Sequence, residues 1–423
     1  MTKLSMLKKS EGQEGYDTAE PALGRRASLL SDVTVLDLTT VLAGPFGSMI
    51  LADLGATVVK IERLSGDPTR EVAPYYLGGD SAYFLSVNRN KLSMGVDLKS
   101  RDGRRVLERL VQGSDVVLDN LRVRQRHNLG LSYEQISVVN PRVIGCSLTG
   151  FGSDGPYRDR GAYDMVIQAL SGVMSLTGED GGPSVRSGVP VGDLVAGMYM
   201  VIGVLAALAE REASGKGQHI DIGMLDCSVS LLTYLASYYF IGGLVPSHQG
   251  RGHVSVPTYN TFVTGDSEDL VICADTQPMW VALCTVLRRG DLVDEVHFKD
   301  NPTRLAHKEE LLAILRAEVS KWSLNDLYTE LVTAGVPAAP INRVDQVMKD
   351  PQLLSRGMVV GVPHRNGGTY RAVGSPVKCS RSAADTFLPP PGLGEHSRVI
   401  MRRAGFSEAE IDAFIQSGSV GSV

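Results

Sequence analysis

Cysteine is scarce in this 423-residue chain: Cys146, Cys227, Cys273, Cys284 and Cys379, with no pair at CxxC spacing. An odd count without motif spacing argues against a disulfide framework and for a reducing compartment. A basic excess is also missing. The 42 Lys+Arg face 47 Asp+Glu, a formal charge of −5, so the counterion-displacing surface of a nucleic-acid binder is not there. The longest apolar run, Leu194 to Ala209, is Gly/Ala-rich and ends at Glu210-Arg211. It falls short of the roughly 18–20 residues of a membrane span and reads as a buried core helix. The first 30 residues carry Lys8, Lys9, Glu11, Glu14, Asp17 and Glu20 but no apolar stretch. Residues 1–31 therefore read as a disordered leader, not a signal peptide. The expectation is a cytoplasmic protein with neither membrane nor nucleic-acid partners.

What is present is an alternation of short strands and helices. Val33 to Leu38 is β-branched and reads as a strand. Pro45 suits a first helical turn, Phe46 to Leu54 a helix, and Gly55 its stop. Strands follow at Thr57–Ile61, Leu92–Leu98, Asp115–Leu118, Arg142–Leu148 and His219–Ile222. Helices are expected at Arg104–Val111, Tyr133–Val139, Met165–Ser175, Leu194–Arg211 and Asp226–Ile241. Such alternation predicts an α/β protein with a parallel sheet covered on both faces. Ligands in these sheets sit beyond the carboxyl ends of the strands, near residues 41–44, 62–66, 97–101, 119–126 and 149–164. Tyr259 to Asp275 reads as a hairpin and Trp280 to Arg288 as a helix, the start of a smaller α+β unit. The organisation expected is a large domain over 32–225, a small domain over 226–330, and 331–423 returning to the large one.

Gly150-Phe-Gly152-Ser-Asp-Gly155 matches G-x-G-x-x-G literally, but Pro156 follows where a dinucleotide fingerprint opens a helix. A nicotinamide site is not expected. The eight histidines are dispersed without HxxxH or a Cys/His cluster, so no metal is expected either. No G-x-S-x-G elbow is present, which argues against a serine hydrolase. Asp164 stands between a Gly-rich loop and a helix beginning at Met165. It reads either as an N-cap carboxylate or as a nucleophile towards an activated carbonyl, with nearby N–H groups stabilising oxyanions. Composition leaves both open. Arg63, Lys99, Arg122, Arg124 and Arg126 lie at or just after strand ends, where cations bind phosphates.

The ordered motifs Leu36-Asp-Leu-Thr-Thr-Val-Leu-Ala-Gly-Pro45, Asp53 to Arg63, Asn88-Arg-Asn-Lys91, Asp119-Asn120, Gly161-Ala-Tyr-Asp164 and Gly215-Lys-Gly-Gln218 resemble the family III CoA-transferases. Gly335 to Pro340, Asp350-Pro351, Arg356-Gly357 and Leu393-Gly-Glu-His396 continue the likeness, which covers nearly everything after residue 32. The resemblance implies a Rossmann-like large domain built from both ends of the chain, a small middle domain, and two chains interlocked as rings in a homodimer. It implies that Asp164 attacks an acyl-CoA, forming an aspartyl anhydride and then an aspartyl-CoA thioester. CoA is the only cofactor-like molecule implied, and it is a substrate. By motif position, Val41, Leu42, Ala43, Arg63, Val96, Lys99, Asn120 and Leu121 would contact CoA. One departure stands out: Asn128 replaces a basic residue usual in relatives, and Arg124 or Arg126 is expected to substitute.

Arg63 directly follows Glu62 at the end of the second strand, which suits a phosphate-bearing ligand better than a ribose-reading acid. Racemases of the family use the same Asp as acid/base, but no His directly precedes Asp164, so a transferase is the preferred reading. A non-catalytic CoA-binding module is the reading of another class. Tyr83 to Lys91 and the spacing from His253 to Phe262 are similar to members using succinyl-CoA and a dicarboxylate. Arg186, Arg251 and His253 are the candidate contacts for the acceptor acid. The middle domain lacks the long Gly-rich loop of formyl-CoA:oxalate members, so oxalate is not the expected acceptor.

Overall fold

The β-branched runs at residues 34–37, 57–62 and 116–119 become strands whose alternate side chains enter two different cores. The computed structural model describes residues 29–381 and 387–422; most of the expected leader, residues 1–28, lies outside them. The strands are β1 (Thr34–Asp37), β2 (Thr57–Glu62), β3 (Lys91–Val96), β4 (Val116–Asp119), β5 (Ile144–Thr149) and β6 (His219–Gly223). They lie in the order β3-β2-β1-β4-β5-β6, all parallel, and Val420–Gly421 adds an antiparallel edge to β3. The order reverses between β1 and β4, the switch point at which such sheets bind ligands.

Val35, Val58 and Val116 point to one face, where α1 (Ala43–Asp53) and the long helix Val191–Ser214 pack. Leu36, Val59 and Val117 point to the other, beneath α2 (Arg101–Gln112) and two C-terminal helices. Burial on both faces explains why these strands read as nearly unbroken apolar runs. Helix Val191–Ser214 is longer than expected and is, by length and composition, long enough to cross a membrane. Here it lies against α1 instead. A Cβ on Gly197 would come within 2.5 Å of the Ala43 carbonyl oxygen, and one on Gly47 within 2.7 Å of that of Gly197. Glycine at both positions lets the two backbones touch.

Several boundaries move for local reasons. Ser100 caps α2, its Oγ accepting from Gly103 N at 2.9 Å, so the helix starts at Arg101 rather than Arg104. The single helix expected over Met165–Ser175 is two, α3 (Asp164–Leu170) and Val173–Leu176, because Gly172 sits at φ +89°. The one expected over Asp226–Ile241 is also two, Met224–Ser230 and Thr233–Gly242, bent by 74°. Residues 150–163 form no helix after the literal glycine motif.

A second, antiparallel sheet joins β7 (Tyr259–Val263), β8 (Asp269–Cys273) and β9 (Ala338–Pro340). Trp280, Leu311 and Leu327 from three helices fill its core. Strand β9 lies beyond the boundary expected at residue 330. Downstream, Ile400, Met401, Phe406, Ile411 and Phe414 return to the core beneath β2 and β3.

Candidate active site

A cavity of about 1160 Å³ opens at the carboxyl ends of β1 to β4. Arg63, Val96, Lys99, Asn120, Leu121 and Arg124 all line it, as the strand-end argument requires. Arg122 and Arg104 join them. Arg104 was missed because it reads as the outer face of a helix; the early start of α2 places it at the sheet edge, its Nε donating to Leu98 O at 3.4 Å. Two of the three lining acids, Glu62 and Asp67, are ion-paired, and the third, Asp97, accepts from Lys99 N at 3.0 Å. Glu62 is buried against Arg70 (2.7 and 2.8 Å) and accepts from Ser93, and Asp67 pairs with Lys60 at 2.8 Å. Glu62 therefore cannot serve a ribose, while Arg63, Lys99, Arg104, Arg122 and Arg124 remain exposed. Five exposed cations against Asp97 leave the charge at the mouth in positive excess, which suits phosphates.

Two expectations change here. Arg126 cannot stand in for the cation missing at Asn128: it is buried, ion-paired to Asp119 at 3.1 Å and bonded to Leu121 O. Val41, Leu42 and Ala43 do not line this cavity. They form the turn into α1, with Ala43 buried at the contact with Gly197. Val41 has φ +72°, a costly left-handed conformation for a β-branched residue.

That turn is held from below by buried charge. Lys60 Nζ donates to Thr39 O at 2.9 Å and Lys91 Nζ to Pro45 O at 3.0 Å. Between them Asp37 pairs with Lys91 at 3.2 Å and accepts from Thr39 and Ser48. Burial would raise the Asp37 carboxyl, but Lys91, Lys60 and the hydrogen bonds from Ser48 and Thr39 together bring it down to about 2. Asn120 completes the frame, its amide exchanging hydrogen bonds with Thr40 N and O at 3.1 and 2.8 Å. Its side chain thus braces the loop as well as lining the cavity.

Asp164 is half-buried, and its neighbour Tyr163 lines the cavity. It does not cap its own helix, for Tyr163 holds the N-cap position of α3. The carboxylate instead meets the start of a second helix, α4 (Val191–Ser214). Gly192 N and Asp193 N donate to Oδ1 at 2.9 and 3.4 Å. Gln168, fully buried one turn along α3, donates from Nε2 to Oδ2 at 2.7 Å. Gln168 is fixed in turn, because its Oε1 accepts from Ser187 N at 2.9 Å. Asp193 itself is pushed up to about 6 by burial and by the charge of Asp164. No sequence signal singled out Gly192 or Asp193, since helix N-termini meet carboxylates only through the tertiary fold.

The three candidates for the acceptor acid fare differently. Arg186 is exposed, without an ion pair among the described residues, and adjoins Ser187 on the Gln168 side of the site. Arg251 is spoken for: its guanidinium pairs with Asp269. His253 is stacked between Tyr234 and Tyr259, at 6.1 and 5.7 Å, and accepts from Ser255 N. None of the three lines the cavity of the described residues. The expected dispersion of histidine also fails at one place, where His297 and His307 come together beside Glu310.

Comparison with known proteins places the chain in a family. The profile of CoA-transferase family III matches residues 30–397. A succinate–glutarate CoA-transferase of Agrobacterium fabrum is 37% identical over 88% of this chain and 94% of its own length. An acetyl-CoA:oxalate CoA-transferase of Acetobacter aceti is also 37% identical, over 89% of this chain and 96% of its own. The crystal structure of a CAIB/BAIF family protein from Brucella suis superposes with a TM-score of 0.79 at 36% identity, covering 89% of this chain and 99% of that one. A cation-rimmed cavity at the switch point and a family match over residues 30–397 lead to one conclusion: this protein belongs to CoA-transferase family III and is a CoA-transferase.

Proposed function

We propose that the enzyme carries the acyl group and then CoA on Asp164, moving CoA from succinyl-CoA to a dicarboxylic acid. The observation that carries this reading is the Asp164 carboxylate, held at Oδ1 by the N–H groups of Gly192 and Asp193 and at Oδ2 by Gln168. Oδ2 attacks the thioester carbonyl, the C–S bond breaks, and CoA leaves as thiolate, giving the mixed anhydride. The thiolate then adds to the aspartyl carbonyl and expels the donor acid as carboxylate, leaving aspartyl-CoA. The acceptor carboxylate attacks that thioester and returns the thiolate. The thiolate takes the new acyl group and releases Asp164. In each addition to the aspartyl carbon, negative charge grows on Oδ1, where Gly192 and Asp193 N–H groups already point.

The cations Arg63, Lys99, Arg104 and Arg124 are assigned to the phosphates of CoA. Arg186 is assigned to the second carboxylate of the acceptor. A relative named for glutarate and another named for oxalate are equally similar to this chain, so overall likeness does not choose the acceptor. The Arg186 assignment is what favours a longer dicarboxylate.

The working unit in this proposal is a homodimer of interlocked chains. Support comes from exposed apolar side chains along one stretch, with Phe240 80%, Ile241 88% and Val245 73% accessible. Contiguous apolar surface of this kind marks an interface. Sedimentation should give twice the chain mass at micromolar concentration.

The test is incubation with succinyl-CoA and a panel of mono- and dicarboxylic acids in D₂O, with mass spectrometry of the thioesters. Exchange with a dicarboxylate and no α-deuteration is expected. Asp164→Asn should lose about three orders of magnitude in rate or more while still binding CoA. Full exchange by Asp164→Asn would remove the mechanism. CoA binding by wild type without exchange would favour a non-catalytic module, and α-deuteration alone a racemase.

A further inference from the structure

The smaller sheet's domain carries a side-chain cluster that the CoA chemistry does not use. Helix Lys308–Val319 begins directly after His307 and holds Glu310 in its first turn. His297 lies in the preceding turn, between Asp291–Asp294 and Asn301–Ala306. Phe298 and Leu311, sequence neighbours of this cluster, are buried in the domain core, so both backbones are anchored. Nδ1 of His297 is 3.4 Å, and Nδ1 of His307 3.6 Å, from the same oxygen, Glu310 Oε2. The two imidazoles stack with centroids 3.8 Å apart and planes 4° from parallel. The three ligand atoms lie within 4.8 Å of one another, the one such group among the described residues.

Separations of 3.4 and 3.6 Å are long for charge-assisted hydrogen bonds. They suit two donors sharing a tetrahedral ion: with bonds of about 2.0–2.1 Å, the ligand atoms stand roughly 3.3–3.4 Å apart. Two imidazoles and one carboxylate form the donor set of borderline divalent ions, neither thiolate-soft nor all-oxygen. We propose that His297, His307 and Glu310 bind one divalent ion of the zinc class, with water completing the tetrahedron.

Binding requires one local movement. An imidazole ligates in its own plane, so two parallel rings cannot aim at a single ion. One ring must turn about its Cβ–Cγ bond, a torsion that is broad for histidine, and side chains 44% and 36% exposed have room for it. None of the three residues lines the CoA cavity. The ion's effect is to pin the His297 turn to the first turn of the following helix. It stabilises the folded chain by binding it in preference to the unfolded one.

The test uses the full chain, stripped with chelator and dialysed. Titration with Zn²⁺ by calorimetry should give one ion per chain and raise the thermal midpoint. Co²⁺ should give the visible absorption of a tetrahedral site. The double variant His297→Ala, His307→Ala should melt like the metal-free wild type, and its affinity should fall by about tenfold or more, since even outer partners of metal ligands cost that much. Glu310→Gln provides a second, milder variant with weakened uptake. No saturable uptake by the wild type would overturn the proposal. So would uptake unchanged in the double variant, which would assign the ion to other groups.

Discussion

Asp164 Oδ1 and Gly192 N lie 2.9 Å apart, so the carboxylate closes the N-terminus of helix Val191–Ser214 rather than that of its own helix. A Cβ on Gly192 would sit 3.1 Å from that oxygen and 3.2 Å from Ile167 Cγ2. Glycine therefore permits the approach. In the proposed mechanism the N–H groups of Gly192 and Asp193, which hold the resting carboxylate, would face the oxygen that becomes an oxyanion when the aspartyl carbon is attacked.

Gln168 orients the other oxygen and is itself held by Ser187 N. Gln168→Ala should lower kcat by about tenfold or more, because Oδ2, the proposed attacking oxygen, loses the donor that fixes its direction. KM for the acyl-CoA should stay within a factor of about two, because Gln168 does not line the cavity. Steady-state kinetics at several acceptor concentrations separate the two parameters. An unchanged kcat would refute the orienting role.

Asp193 has its carboxyl raised to about 6 by burial and by Asp164. A raised carboxyl binds its proton more tightly in the folded chain. Its contribution to stability is therefore full below the unfolded value near 3.8 and is lost as pH rises through about 6. Asp164→Asn removes the neighbouring charge, so the Asp193 titration should move towards acid. Carbon NMR of labelled aspartate reads this directly, and an unmoved midpoint would show that Asp164 does not act on it.

The arginines around the cavity divide into two behaviours. Arg104→Ala and Arg63→Ala remove exposed cations and should raise KM for CoA, more so at low salt, with kcat little changed. Arg126→Ala strands the buried Asp119 carboxylate and should instead cost about 3–5 kcal/mol of stability. Urea denaturation beside kinetics distinguishes them. A KM effect without a stability loss in Arg126→Ala would contradict its assignment as a structural ion pair.

Asp37, held near 2 by Lys91 and Lys60 despite burial, stabilises the fold above its unfolded value near 3.8 and loses that contribution as pH falls towards 2. Asp37→Asn should cost about 3–5 kcal/mol at neutral pH, since it leaves the buried Lys91 without its carboxylate, while Lys60 keeps Asp67. Its stability should also fall less than that of wild type between pH 4 and pH 2. Denaturant midpoints across that range check both statements.

Much of the arrangement was legible in the chain itself. Strand-end placement of Arg63, Lys99 and Arg124 foretold their meeting at the cavity, because a parallel sheet puts all strand ends on one edge. Illegible were pairings between charges on different elements. Arg251 looked available until β7 and β8 paired and brought Asp269 beside it. Arg126 looked like a phosphate ligand, yet a short helical turn, Val123–Asn128, aims it back at Asp119. His297 and His307 share no motif and meet only because two turns pack on one core.

The apolar runs and turn residues determined by themselves an α/β protein with a parallel sheet, and the ordered motifs carried the resemblance to the family III CoA-transferases to which the chain belongs. Those features are local, and their periodicity commits each segment before any distant contact forms. Tertiary structure alone decided which groups surround Asp164, which arginines stay free, and where two histidines share a carboxylate. Each of these depends on side chains from different turns, strands and helices, 3 to 29 residues apart in these pairs, whose distances are set only when those elements pack.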